Sequence, residues 1–202
     1  MSSDEVSGMR TLIILVAVLA LGGCVTGYTL VSPAPVQIAK KTMKVKPSLP
    51  WNRAPKSALD VPSQETWTQN GPLLDEITFI GGVTSGQAIA KQRAKDDRKV
   101  PVFRSDMSPQ DLVSMIESYY RIRGGATIFT PIGVKPVTFL GKTGMQFDYE
   151  FVSADEVKRR GRSVLAVVEG KLYLMSLDGA ALHYFDAALP EFEAIVASAQ
   201  IG

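Results

Sequence analysis

Histidine and cysteine are almost absent from this 202-residue chain: each occurs once, as His183 and Cys24. A single cysteine excludes an internal disulfide, and one histidine beside it falls short of the several His or Cys ligands of a usual transition-metal centre. No metal and no cofactor is expected. Charge of one sign is lacking as well, since 22 basic residues against 20 acidic ones give a formal net charge of +2. That value does not suggest nucleic-acid binding. Long apolar runs are limited to residues 12–21, and no acidic residue stands between Cys24 and Asp60. With 46% hydrophobic and 21% charged residues, the remainder has the composition of one globular domain.

The apolar run ends in Leu21-Gly22-Gly23-Cys24. An apolar helix, small residues and then a cysteine resemble the signal peptide of bacterial lipoproteins: Leu21 fits the aliphatic site, Gly23 the small site before cleavage, and Cys24 the lipid acceptor. The resemblance implies that residues 1–23 are removed and that Cys24 carries diacylglycerol and an N-acyl chain. Val25 follows where an inner-membrane lipoprotein would carry aspartate, which implies transport to the outer membrane on its periplasmic side. Asp4 and Glu5 are foreign to a signal peptide, whereas a start at Met9 puts Arg10 at its head. The alternative is an uncleaved helix in the inner membrane, for which residues 11–31 are just long enough.

Pro33, Pro35, Pro47, Pro50, Pro55, Pro62 and Pro72 punctuate the next stretch. Proline lacks an amide donor and fixes φ, so this spacing predicts an extended tether over residues 24–72. Its reach would be roughly 40 Å as a coil and about 150 Å fully extended. Lys40, Lys41, Lys44 and Lys46 make it basic, suited to contact with anionic headgroups or a cell-envelope polyanion.

A domain is expected over residues 73–202. Ile77-Thr78-Phe79-Ile80 reads as a strand stopped by Gly81-Gly82. Ser108-Pro109-Gln110-Asp111 reads as a capped helix start, followed by Leu112, Val113, Ile116 and Tyr120 at helical spacing and a stop at Gly124-Gly125. Strands are expected at residues 127–130, 137–140 and 145–151. In the last, Met145, Phe147, Tyr149 and Phe151 alternate with Gln146, Asp148 and Glu150, giving one apolar and one wet face. Glu169-Gly170 reads as a hairpin turn between central strands at residues 163–168 and 171–177, and a helix is expected at residues 190–199. The fold class is α+β, an antiparallel sheet flanked by helices. This element order, closing with Tyr184-Phe185-Asp186 and Leu189-Pro190-Glu191-Phe192, resembles the PsbP/Mog1-like domains. The resemblance implies an α/β/α sandwich and an accessory or assembly role without a shared catalytic site.

Catalytic patterns are incomplete. Gly82-Val83-Thr84-Ser85-Gly86 places threonine where a nucleophile elbow has serine, and residues 81–86 lack a phosphate-loop ending. Ser85 with His183 is the remaining hydrolase pair. Asp148 and Glu150 lie roughly 7 Å apart along one strand face, a spacing that alternation alone produces. Lys158, Arg159, Arg160 and Arg162, read as a connecting turn, form the candidate site for an anionic partner. The reading is a lipid-anchored, noncatalytic binding or assembly module, with a periplasmic hydrolase using His183 as the rival.

Overall fold

The computed structural model describes residues 27–93 and 99–202. The chain runs β1 (Thr29–Val31), β2 (Val36–Ile38), β3 (Met43–Val45), β4 (Trp51–Arg53), a short 3-10 turn (Lys56–Ala58), β5 (Gln64–Thr68) and β6 (Asp75–Thr84). It continues through α1 (Pro109–Arg123), β7 (Ile128–Phe139), β8 (Lys142–Val152), β9 (Lys158–Val168), β10 (Lys171–Ala180), α2 (Tyr184–Ala197) and β11 (Gln200–Ile201). An eight-stranded sheet has the order β1-β4-β5-β6-β10-β9-β8-β7, and a small three-stranded sheet the order β11-β3-β2. The pairings in both sheets are antiparallel.

Alternation along each strand sends side chains to two cores. On one face, Leu112, Met115, Ile116 and Tyr120 of α1 pack on Ile80, Phe147, Leu165 and Leu174. On the other, Phe185, Phe192 and Ile195 of α2, with Ile38, Met43 and Val45 of the small sheet, cover Ile77, Phe79, Val164 and Met175. Helices therefore lie on both faces of an antiparallel sheet. The sandwich is strand-dominated, however, and α2 shares its layer with the small sheet.

The helix start behaves as its sequence dictates. Ser108 and Asp111 form a reciprocal capping box with Pro109 at the first turn, and Gly124 caps the carboxy end. At Glu169 and Gly170 φ is 50° and 74°, the doubly left-handed backbone of a tight hairpin between β9 and β10.

Other expectations are corrected. Residues 29–68 do not form an extended tether: β4 pairs with β5 and β5 with β6, and Trp51 and Trp67 are both 0% exposed. Proline forbids long helices and central strands, but three-residue strands fit between prolines, with Pro35 and Pro50 each placed just before one. The fold thus begins well before residue 73. Gly81-Gly82 does not stop β6 either. Gly82, at φ 70°, is the extra residue of a bulge where Val83 pairs with Leu172 and Gly81 with Tyr173. The inserted residue shifts the alternation, so Ile80 and Val83 face the same core although three positions apart.

The strands expected at residues 127–130 and 137–140 are one long edge strand, β7, broken in register between Ile132 and Lys135. Pro190 lies inside α2 rather than at its start. The turn before it buries Phe185 and Ala188, which outweighs the one helical hydrogen bond that proline forfeits.

Candidate functional site

Antiparallel register places Glu76 of β6 directly opposite Asp178 of β10. Two carboxylates facing each other across a ladder repel unless one is protonated or a cation intervenes. Both remedies are present. Arg159 donates from Nε to Asp178 Oδ1 at 2.8 Å and again from a terminal nitrogen, and its other terminal nitrogen donates to the Leu73 carbonyl at 2.6 Å. Among the described residues the Glu76 carboxyl accepts only a long hydrogen bond from Thr78, 3.3 Å, and burial, followed by the nearby Asp178 charge, pushes it up to about 8. Burial raises the pKa of Asp178 as well, against the pull of the Arg159 charge and hydrogen bonds beside it.

A hydroxyl chain runs from Asp178 into the core. Tyr120 donates to Asp178 at 3.3 Å, Tyr149 to Tyr120 at 2.6 Å, and Ser176 lies 2.8 Å from Tyr149 and 2.7 Å from Ser163. One consistent direction of donation is Ser163 to Ser176 to Tyr149 to Tyr120 to Asp178, each hydroxyl giving one proton. Burial raises the pKa of Tyr120 and Tyr149 well above the ordinary phenol value, so they stay neutral donors. Gly161 makes the chain possible, because any Cβ there would strike the Tyr149 ring.

The Asp178 end of this chain opens on a cleft of about 370 Å³ beside the carboxy end of α1, with Tyr119, Tyr120 and Phe151 as its aromatic wall and Glu76, Arg159 and Asp178 as its polar floor. At its rim Arg123 pairs with Asp60, and the Ser153 hydroxyl bonds Asp155 at 2.6 Å. The cleft can give and accept hydrogen bonds at fixed positions. Of its three polar floor residues the sequence singles out Arg159 alone, as one cation of a basic run, and neither Glu76 nor Asp178. The available signal was charge inside an apolar strand, as in Leu177-Asp178-Gly179.

The sequence-predicted sites fare differently. Lys158, Arg159, Arg160 and Arg162 lie in strand β9, not in a turn. Arg159 is buried, Arg160 bonds Asp186 at 2.8 and 3.0 Å, and Arg162 grips Asp148 at 2.6 and 2.8 Å and reaches Glu193. Three guanidinium groups are thus paired with carboxylates of the chain itself, while Lys158 is exposed. The same contacts engage Asp148, and α2 roofs the face expected to be wet, leaving Glu150 exposed opposite Arg160.

Ser85 and His183 do not meet. Ser85 follows Thr84, which pairs with Lys171, whereas His183 follows the other end of β10, where Gly179 pairs with Asp75. These ten-residue strands separate them by roughly 30 Å. His183 stands at the amino end of α2, with no capping bond from its side chain.

Lys40, Lys41, Lys44 and Lys46 are all exposed, but on the folded β2–β3 hairpin. Ala39, Lys40 and Lys41 have φ of 48°, 59° and 65°, three successive left-handed residues at a cost of roughly 1 kcal/mol each. The turn is held by the Ala39 amide donating to Glu65 at 3.2 Å and the Thr42 hydroxyl donating to the Ala39 carbonyl at 2.7 Å. Cys24 and the expected signal peptide lie outside the described residues. No helix among the described residues is long and apolar enough to cross a membrane.

No protein-family model and no curated protein matches the chain in sequence. Among solved structures it is similar to the solution structure of cyanobacterial PsbP (CyanoP) from Synechocystis sp. PCC 6803, at 14% identity and TM-score 0.52, over 90% of this chain and 96% of that one. It also matches LpqN, involved in cell envelope biogenesis of Mycobacterium tuberculosis, at 11% identity and TM-score 0.33, over 89% of this chain and 87% of that one. The CyanoP match covers more of the chain than a domain starting at residue 73 could supply, and the fold is PsbP-like.

Proposed function

We propose that this chain is a bacterial envelope lipoprotein, anchored through acylated Cys24 to the periplasmic side of the outer membrane, whose folded body acts by binding rather than turnover. The observation that carries the binding reading is the cleft. It sets a protonated Glu76, the Arg159–Asp178 pair and the Tyr120 hydroxyl around one opening. Such convergent polar groups on an aromatic wall suit recognition of a polar group on a partner. The PsbP-like fold agrees with this reading, because the PsbP/Mog1-like resemblance implies accessory and assembly roles.

Two measurements test it. Intact-mass analysis of membrane-extracted protein should find a chain starting at an acylated Cys24; an unacylated chain retaining residues 12–23 would restore the spanning helix. In a deletion-complementation assay, folded Ser85→Ala, Glu150→Gln and His183→Ala variants should keep most function, whereas Glu76→Gln should weaken crosslinking to the partner in cells. A null phenotype from His183→Ala would restore the hydrolase.

A further inference from the structure

We infer that the face of the small sheet carrying the β2–β3 hairpin is a docking surface for anionic lipid headgroups, and that docking there turns the Glu76 cleft away from the bilayer. The inference rests on the reading of Cys24 as the lipid anchor. Thr29, at the start of β1, is five steps along the chain from Cys24, with four residues between them. At about 3.5 Å per residue, the anchor lies within roughly 18 Å of the folded body. A tether with reach to spare would leave the domain's orientation free; this length does not. Val31 of β1, on the edge strand of the main sheet, packs in the same buried cluster as Ile38, Met43 and Val45, so the anchored strand borders the layer formed by the lysine-bearing small sheet.

The charge on that layer is one-sided. Lys40 and Lys41 occupy the left-handed turn, Lys44 lies in register between Gln37 and Gln200, and Lys46 follows the end of β3. The neighbouring carboxylates are already engaged. Glu65 forms an ion pair with Arg53 and accepts from Trp67, at 2.7 Å each, and Glu191, itself buried, accepts from the Ser48 amide at 2.7 Å and the Leu49 amide at 3.0 Å. Leu49, half-exposed, adds an apolar contact near Lys46. Charges held this near a surface fall within reach of its potential, which decays over roughly 8–10 Å at physiological salt. Each lysine engaged there changes surface affinity about fivefold. The cleft belongs to the opposite face of the main sheet, where Tyr120 and Phe151 pack, so a docked domain presents it to the periplasm.

The test uses the full chain reconstituted in vesicles of phosphatidylcholine, or of phosphatidylcholine with phosphatidylglycerol, and a membrane-impermeant amine-acylating reagent read by mass spectrometry at each lysine. Acylation of Lys40, Lys41, Lys44 and Lys46 should fall about fivefold or more in the phosphatidylglycerol vesicles and recover at high salt. Lys142, Lys158 and Lys171 should not change. Lys44→Glu with Lys46→Glu, both at exposed positions, should abolish the protection of Lys40 and Lys41. Equal labelling in both vesicles, uniform protection of every lysine, or protection by a soluble anionic polysaccharide alone would overturn the proposal. Intact mass at Cys24, measured on the same samples, separates failure of the anchor from failure of the docking face.

Discussion

Arg159 neutralises Asp178 and leaves Glu76, its cross-strand partner, to be neutralised by a proton. One cation thus serves two facing carboxyls, and the second keeps an acid form near neutrality.

This division makes stability depend on pH with a definite sign. Glu76 holds its proton up to about 8 in the fold, against an ordinary value of 4.5. Folding therefore takes up a proton between those limits, and stability falls as pH rises from about 4.5 to about 8. Asp178, also raised by burial, acts in the same direction. We expect a loss on the order of 2–4 kcal/mol across that window, and a flatter profile for Glu76→Gln. Urea denaturation at several pH values measures both; a wild-type profile that rises with pH would contradict the assignment.

Removing the cation should be worse than removing the acid. Arg159→Ala strands a buried Asp178 carboxylate and should cost about 3–5 kcal/mol, much of it recovered when Asp178→Asn is added. Thermal or chemical melts of the two single variants and the double variant give the coupling directly. Additive losses would mean that the two side chains act independently.

Gly161 tests the hydroxyl chain. Alanine there forces the Tyr149 ring off β9 and should cost roughly 1–3 kcal/mol. Tyr149→Phe keeps the ring and loses only the hydroxyl contacts, at about 1 kcal/mol or slightly more. If Gly161→Ala were neutral in a melting experiment, the ring would not lie where the structure has it.

The domain boundary can be measured. A chain beginning at residue 27 should fold cooperatively, whereas one beginning at residue 73 loses β4, β5 and the buried Trp51 and Trp67 and should not. Near-ultraviolet circular dichroism and amide dispersion in NMR distinguish the two. A well-folded shorter chain would return residues 24–72 to the role of a tether.

On β8, Phe147→Asp should unfold the protein at a cost of several kcal/mol, since Phe147 is 0% exposed. Asp148→Asn should cost about 0.5–1 kcal/mol through its loss of Arg162, and the loss should vanish in an Arg162→Ala background. A double-mutant cycle is the measurement.

By itself the sequence determined the features whose cause is local. Ser108, Pro109 and Asp111 satisfy free amides within one helical turn, Glu169-Gly170 supplies the hairpin backbone, and alternation from Met145 to Phe151 settles which side chains face the core. Tertiary structure decided the rest. Strands of three residues, such as β1 to β4, are too short to show a period, and partners distant along the chain hold them in place. Arg159 reads as one cation in a basic run until the sheet sets Asp178 beside it, and Glu76 reads as an ordinary acid until the same ladder sets it opposite Asp178. Charge is written in the sequence, but its neutralisation depends on which residues the sheet brings opposite one another, and here register sets Asp178 against Glu76, 102 positions earlier (178 − 76).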